Sequence, residues 1–275
     1  MNQLRTSINL ADQEKKNMQA ETESVQSRIE REREFHNKEF ADSERSKINN
    51  VYYVTRSSTQ WYEAYLDQRA NGKHILEYGC GPNSYAFWLA QRGAQVAGID
   101  ISDTAIEQMR ERSKERPFPE RVSFQRMNAE ELEFADNTFD IICGRAILHH
   151  LDLRKSFAEI ARTLNPAGQS IFVEPLGHNP IINAYRNRTP DLRTEDEHPL
   201  LMRDLKMAEE YFGKVEAHYF HLGGLAATPF VGRKLFDPVL KTLDAADQMI
   251  FKVAPFMKKH AWAVVLVFSQ PRKKV

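Results

Sequence analysis

Glu77, Gly79, Gly81 and Asp100 have the residue types and spacing of a loop that handles a nucleotide. Two glycines one residue apart let the backbone approach a ligand closely, with no side chain in the way. The Asp100 carboxylate, about twenty residues beyond the turn, is placed to accept hydrogen bonds from ribose hydroxyls. Such residues need a strand, a turn, a helix and a second strand to position them. The apolar Ile75-Leu76 ends at Glu77, and Gly79-Cys80-Gly81-Pro82-Asn83 breaks it. Ser84 to Arg92 reads as a helix, and a second apolar run, Val96 to Ile99, ends at Asp100. That order is the first half of a nucleotide-binding α/β unit.

Dinucleotides and S-adenosylmethionine both use this layout. A dinucleotide fingerprint needs a third glycine where Ser84 stands. Glu77, two residues before the first glycine, suits a ligand bearing an ammonium and a sulfonium better than one bearing a pyrophosphate.

The segment from His74 to Ser102 resembles motif I and the following acidic strand end of class I S-adenosylmethionine-dependent methyltransferases. The likeness continues through FDIICGRAILHHL (Phe139 to Leu151) and ARTLNPAGQSIFVEPLGHNP (Ala161 to Pro180). It covers about Asn71 to Pro180 with specific motifs and the remainder to Gln270 more loosely. Ala167 departs from it, standing where the family has the first glycine of a P-G-G turn. The resemblance implies an α/β, Rossmann-like fold: a seven-stranded, mostly parallel sheet with helices on both faces. It implies S-adenosylmethionine as cofactor and S-adenosylhomocysteine as product. The cofactor-binding set carried over is Glu77, Gly79, Cys80, Gly81, Asn83, Asp100, Ile101, Asn128, Ala129, Glu130 and Arg145. Asn128 falls where the family hydrogen-bonds the adenine amine. Within the family the likeness is to the small-molecule group that includes quinone and natural-product methyltransferases.

Composition narrows the classes. Lys+Arg and Asp+Glu both number 38, so the chain has no net charge. A dedicated nucleic-acid binder, which works by neutralising phosphates, is not expected. GRAILHH also stands where nucleic-acid amine methyltransferases carry an N/D-P-P-Y/F motif. No apolar run approaches the roughly 18 residues that span a bilayer, and the opening MNQLRTSINLADQEKK lacks a signal peptide's apolar region. Cys80 and Cys143, the two cysteines, suggest no disulfide framework, so a reducing cytoplasm is expected.

Around the motif region the chain divides into 1–70, a helical extension and lid, and 71–275, the methyltransferase domain with a helical insertion at 223–257. Leu4, Ala11, Met18 and Val25 recur at heptad spacing, a weak signal for a helix that could pair two copies. Phe35 to Tyr65 is rich in Phe, Tyr and Trp and is expected to close over the crevice, with Tyr53 at the methionine end of the cofactor. The first 34 residues are then expected to be dispensable for binding. The apolar insertion is expected either to cap the crevice and receive a hydrophobic acceptor or to pack as a helical appendage. Asn187 to Pro199, charged and proline-punctuated, reads as an exposed loop. Ser102 reads as the N-cap of the helix that follows it.

For methyl transfer the protein chiefly aligns nucleophile, methyl and sulfur and excludes water. A base is needed only where the nucleophile must lose a proton. His149 and His150 leave the fourth strand on the ligand side and are the candidates. Neighbours in an extended chain point apart, so one of them is expected to face the substrate. Glu174, ending the fifth strand, and His178, in the loop after it, are expected to face the same crevice. His178 is a candidate for the substrate pocket, with bracing of the loop as the alternative role. No His/Cys/Asp cluster has metal-ligand spacing, so no metal is expected. The leading function is methylation of oxygen, carbon or nitrogen on a small, hydrophobic acceptor. The second is a methyltransferase-like protein that keeps the cofactor but catalyses another reaction, such as a cyclisation.

Overall fold

The structure is a computed structural model that describes residues 23–41, 50–189, 193–194 and 196–273. The heptad positions Leu4, Ala11 and Met18, and the stretch 42–49 within the expected lid, lie outside the described residues. Residues 23–41 form helix α1. A 3-10 turn, Asn50–Thr55, leads into α2 (Arg56–Asp67). Then β1 (His74–Tyr78), α3 (Ala86–Gln91), β2 (Gln95–Asp100), α4 (Asp103–Lys114) and β3 (Val122–Arg126) alternate. They are followed by β4 (Phe139–Arg145), α5 (Leu153–Thr163) and β5 (Leu164–Pro175). The chain ends with α6 (Pro180–Arg188), α7 (Met202–Met207), β6 (Phe212–Phe220), α8 (Phe236–Val253) and β7 (Ala263–Pro271).

The seven strands form one sheet in the order β3-β2-β1-β4-β5-β7-β6, with β7 antiparallel to both neighbours and the other pairings parallel. The central strands read as nearly continuous apolar runs because helices cover both faces. Leu76, Ile142 and Phe172 point to one face, where Phe157, Ile160 and Ala161 of α5 pack. Ile75, Ile141 and Ile171 point to the other, beneath Tyr62 and Leu66 of α2, Leu89 of α3 and Ile106 of α4. Strand order reverses between β1 and β4, and a crevice opens there at the carboxyl ends of the strands.

Of its two readings, the insertion takes that of a packed helical appendage. Phe236 and Leu240 pack with Val54, Ile182 and Trp262 as a third, separate core. Among the described residues, none from 223–257 lines the crevice. A row of large apolar side chains signals burial but not the surface that does the burying.

Candidate active site

Three short loops build the floor of the crevice. After β1, Gly79 adopts φ +71°, and a Cβ there would lie 2.7 Å from Ile147 Cδ1, so both the turn and the close approach require glycine. The Glu77 carboxylate accepts hydrogen bonds from the Tyr85 amide at 2.7 Å, the Ala86 amide at 3.2 Å and the Ser84 hydroxyl. It thereby holds the start of α3. Burial pushes Glu77 up to about 7 against these three donors.

After β2, Asp100 accepts the Gly81 amide on Oδ2 at 2.9 Å and the Ser102 amide on Oδ1 at 2.8 Å, tying the two loops together. Burial raises its carboxyl above the usual range, opposed by those amides. Ser102 caps α4, its side chain accepting from the Ala105 amide, as expected. After β3, the Tyr78 hydroxyl donates to the Ala129 carbonyl, and Asn128 Oδ1 accepts the Glu130 amide at 3.0 Å.

These loops enclose a cavity of about 340 Å³, within the size range of small-molecule sites. Glu77, Gly79, Cys80, Gly81, Asn83, Asp100, Ile101, Asn128, Ala129, Glu130 and Arg145 all line it. Arg145 is held by the Tyr85 hydroxyl at 2.7 Å and the Thr59 hydroxyl at 3.2 Å. The cavity also offers groups with unused capacity. Glu130 Oε2 is buried with no hydrogen-bond partner among the described residues, while Oε1 accepts from Arg28 and the Asp152 amide. Buried acceptors are nearly always paired, so such an atom fits a site completed by a ligand.

The expected lid is replaced by an earlier segment. Tyr53 is 47% exposed and does not line the cavity, whereas Tyr62 and Tyr85 do. The wall opposite the sheet is α1, which contributes Arg28, Ile29, Glu32, His36 and Phe40. Arg28 pairs with Glu130 and donates to the His150 carbonyl at 3.2 Å. Arg33 reaches Asp103 at 2.8 Å, and Asn37 Oδ1 accepts from the Ser102 hydroxyl at 2.7 Å. Arg28, Ile29 and Glu32, within the first 34 residues expected to be dispensable, therefore belong to the cavity wall. The stretch after α6 was also expected to be an exposed loop, but Asp196 pairs with Arg31 at 2.9 Å and the Thr194 hydroxyl donates to Glu32.

The two adjacent histidines have different roles. His149 is buried outside the cavity, with Nδ1 2.7 Å from Glu174 Oε2. Glu174 Oε1 accepts the Ile147 and Leu148 amides, so Glu174 and His149 brace the loop instead of facing a substrate. His150 lines the cavity. Their rings do not point apart, because Leu148–His150 is a 3-10 turn, not extended chain, and the ring centroids are 4.2 Å apart. Burial lowers the pKa of His150, opposed by the adjacent Glu32 carboxylate. His178 is another brace: its Nε2 accepts the Met202 amide at 3.3 Å, and it does not line the cavity. His198 is exposed, as expected.

The sheet order and crevice define a Rossmann-like α/β architecture, and comparison with known proteins narrows it. Residues 76–172 match the family described as a methyltransferase domain. Methyltransferase GfsG of Streptomyces halstedii is 37% identical over 116 residues, 42% of this chain and 41% of that protein. Demethylmenaquinone methyltransferase of Symbiobacterium thermophilum is 32% identical over 42% of this chain and 48% of its own length. An S-adenosyl-L-methionine-dependent Diels-Alderase, iccD of Talaromyces variabilis, is 29% identical over 50% of this chain and 44% of its own. The matches thus span less than half of these relatives. In fold, the chain resembles phosphoethanolamine N-methyltransferase 2 of Haemonchus contortus, with a TM-score of 0.61, 17% identity, and coverage of 87% of this chain and 60% of that one. Residues 76–172 thus match a methyltransferase domain, and the chain shares the fold of this solved methyltransferase.

Proposed function

We propose that this protein is an S-adenosylmethionine-dependent methyltransferase acting on a small organic acceptor. The observation that carries the reading is a single cavity, at the switch point of the sheet, lined by Glu77, Gly79, Gly81, Asp100 and Asn128 together. When bound, S-adenosylmethionine supplies a methyl group already activated on sulfonium. Asp100 has a lone pair left on each oxygen to receive ribose hydroxyls, and Asn128 sits at the adenine end. Glu77 sets the turn and contributes negative charge near the methionine end, where Arg145 and Tyr85 complete the wall. Helix α1 covers the cavity and excludes water, which alignment-driven catalysis needs.

Of the two adjacent histidines, His150 is the one that lines the cavity and is placed to accept an acceptor proton. His150→Ala should then lower turnover roughly 10²–10⁴-fold with cofactor affinity nearly unchanged. Parental turnover would leave alignment alone as the mechanism. The decisive experiment offers radiolabelled methyl donor with panels of phenolic, enolic, carbanionic and amine acceptors. Labelled product together with S-adenosylhomocysteine supports methyl transfer. Acceptor turnover without S-adenosylhomocysteine supports the second reading, a cofactor-retaining cyclisation, which the likeness to the Diels-Alderase favours. Pairing of two copies through the first helix remains part of the proposal, tested by scattering.

A further inference from the structure

Helix α1 carries Glu32 and His36 one turn apart, and the loop after β4 brings His150 against them. Glu32 Oε2 lies 3.4 Å from His36 Nε2 and 3.2 Å from His150 Nδ1. Glu32 is only 5% exposed. Its Oε2 and His150 Nδ1 are both buried, yet neither has a partner with hydrogen-bond geometry among the described residues. The two atoms make a buried ion-pair contact without hydrogen-bond geometry, a spacing that also suits two ligands of one ion. A buried carboxylate needs a positive partner. Against burial, Glu32 and Glu39 raise the pKa of His36 to about 9, so a metal ion competes with a proton for this imidazole.

We propose that Glu32, His36 and His150 form a three-ligand site for a divalent transition-metal ion, with zinc the best match to its donors. A tetrahedral ion with bonds of about 2.0–2.1 Å to nitrogen and oxygen separates its ligands by about 3.3–3.4 Å. The two measured separations, 3.4 and 3.2 Å, sit at that edge length. Two imidazoles and one carboxylate suit zinc; magnesium and calcium take oxygen alone. The ligands are themselves held. Glu32 Oε1 accepts the Thr194 hydroxyl at 2.5 Å, and His36 Nδ1 is 3.5 Å from Glu39 Oε2. Such carboxylate support of a metal-bound imidazole orients the ring.

All three ligands line the cofactor cavity, so the fourth position opens towards the space left for an acceptor. Zinc sites that keep one position open are those that bind a water or a substrate oxygen. The neighbouring cluster of His149, His150 and Glu197 is a poor competitor. Glu197 is already neutralised by Arg186 at 2.7 Å, and His149 is committed to Glu174. An ion held by His150 and free-base action of that imidazole exclude each other, so metal analysis also separates those roles. The site stands on its own geometry and does not depend on the acceptor.

The test uses the full chain, stripped with chelator and titrated with Zn²⁺ in a calorimeter, then with Co²⁺ in a spectrophotometer. One ion per chain is expected, with the intense visible bands of four- or five-coordinate cobalt. His36→Ala and Glu32→Gln should each weaken Zn²⁺ binding by more than about 100-fold, since even losing an outer partner costs 10–100-fold. His74→Ala, at an exposed histidine opening β1 at the far end of the sheet, should bind as the parent does. His36 lies on the wall helix and outside both main cores, so its variant should fold, and thermal melting checks this. Absence of stoichiometric binding, cobalt bands of six-coordinate type, or parental affinity in both ligand variants overturns the proposal. S-adenosylhomocysteine binding measured in parallel keeps failure of the metal site distinct from failure of the methyltransferase reading.

Discussion

Helices α1 and α5 both pack against the same sheet-bearing body, yet they are held by opposite means. α5 buries Leu153, Phe157, Ile160 and Ala161 in the larger core. Among the described residues of α1, the one fully buried is Glu32, a carboxylate. Its other attachments are Arg28 to Glu130, Arg31 to Asp196, Arg33 to Asp103 and Asn37 to Ser102. Apolar burial has no substitute in water, whereas partly exposed ion pairs and hydrogen bonds are readily exchanged for hydration. The floor is therefore permanent and the wall is removable. A cavity closed by such a wall can open for cofactor exchange without disturbing the core.

The sharpest break in this comparison is Phe157→Ala. Phe157 is fully buried against Tyr211, Phe212 and Phe268, and its truncation should cost about 3–5 kcal/mol of stability. Denaturant melts would show it, and a loss near zero would mean that α5 is no better anchored than α1.

Next in size is a pH effect within the floor. The folded-state pKa of Glu77 is raised from 4.5 to about 7, so the native state holds its proton more tightly than the unfolded chain does. Stability should fall as pH rises from about 4.5 to about 7, by about 3 kcal/mol from this group, then level off. Asp100 is shifted in the same direction and adds to the slope. Glu77→Gln should flatten the slope in melts across that range; an unchanged slope assigns it elsewhere.

Asp100→Ala removes the acceptor that joins the two glycine-side loops and that would receive ribose. Calorimetry should show cofactor affinity weakened by about 1.5–3 kcal/mol with the fold intact. Unchanged affinity would remove Asp100 from the site.

The smallest effect tests the wall alone. Arg28→Ala should weaken cofactor binding by about 1 kcal/mol while leaving the melting temperature unmoved. Equal losses of stability and affinity would show that α1 is part of the core after all. A chain beginning at residue 35 should lose more affinity than Arg28→Ala, because Glu32 leaves as well.

Legibility in the sequence follows the same division. Glu77, Gly79 and Asp100 could be placed because strand, turn and strand fix them within one short stretch of chain. The seven-stranded, mostly parallel sheet was implied by the family resemblance, and β7 is its antiparallel member. Glu32 could not be found by pattern, since a charged residue on a polar helix reads as solvated. What buries it, His150 and Thr194, comes from distant loops. The Glu32-x-x-x-His36 spacing was the available signal, two ligand types one helical turn apart. Tyr53 misled for the reverse reason: an aromatic-rich stretch must bury something, but it was Tyr62 that went inside. The histidine pair was misjudged in geometry because Ala146, at φ +52°, turns the chain out of extended form before them.

The placement of β7 between β5 and β6 bears on how the molecule is made. A ribosome delivers β1 to β5 in an order that lets each parallel neighbour dock as it emerges, and the cavity floor can form during synthesis. Strand β6 arrives with no partner waiting, because its only neighbour in the sheet is residues 263–271, translated later. Until then the β5 edge and the whole of β6 present unpaired amides and carbonyls. Stalled or prematurely stopped translation before Ala263 should thus yield nascent chains that already hold a glycine loop but stick to one another, a hazard for trigger-type chaperones to cover.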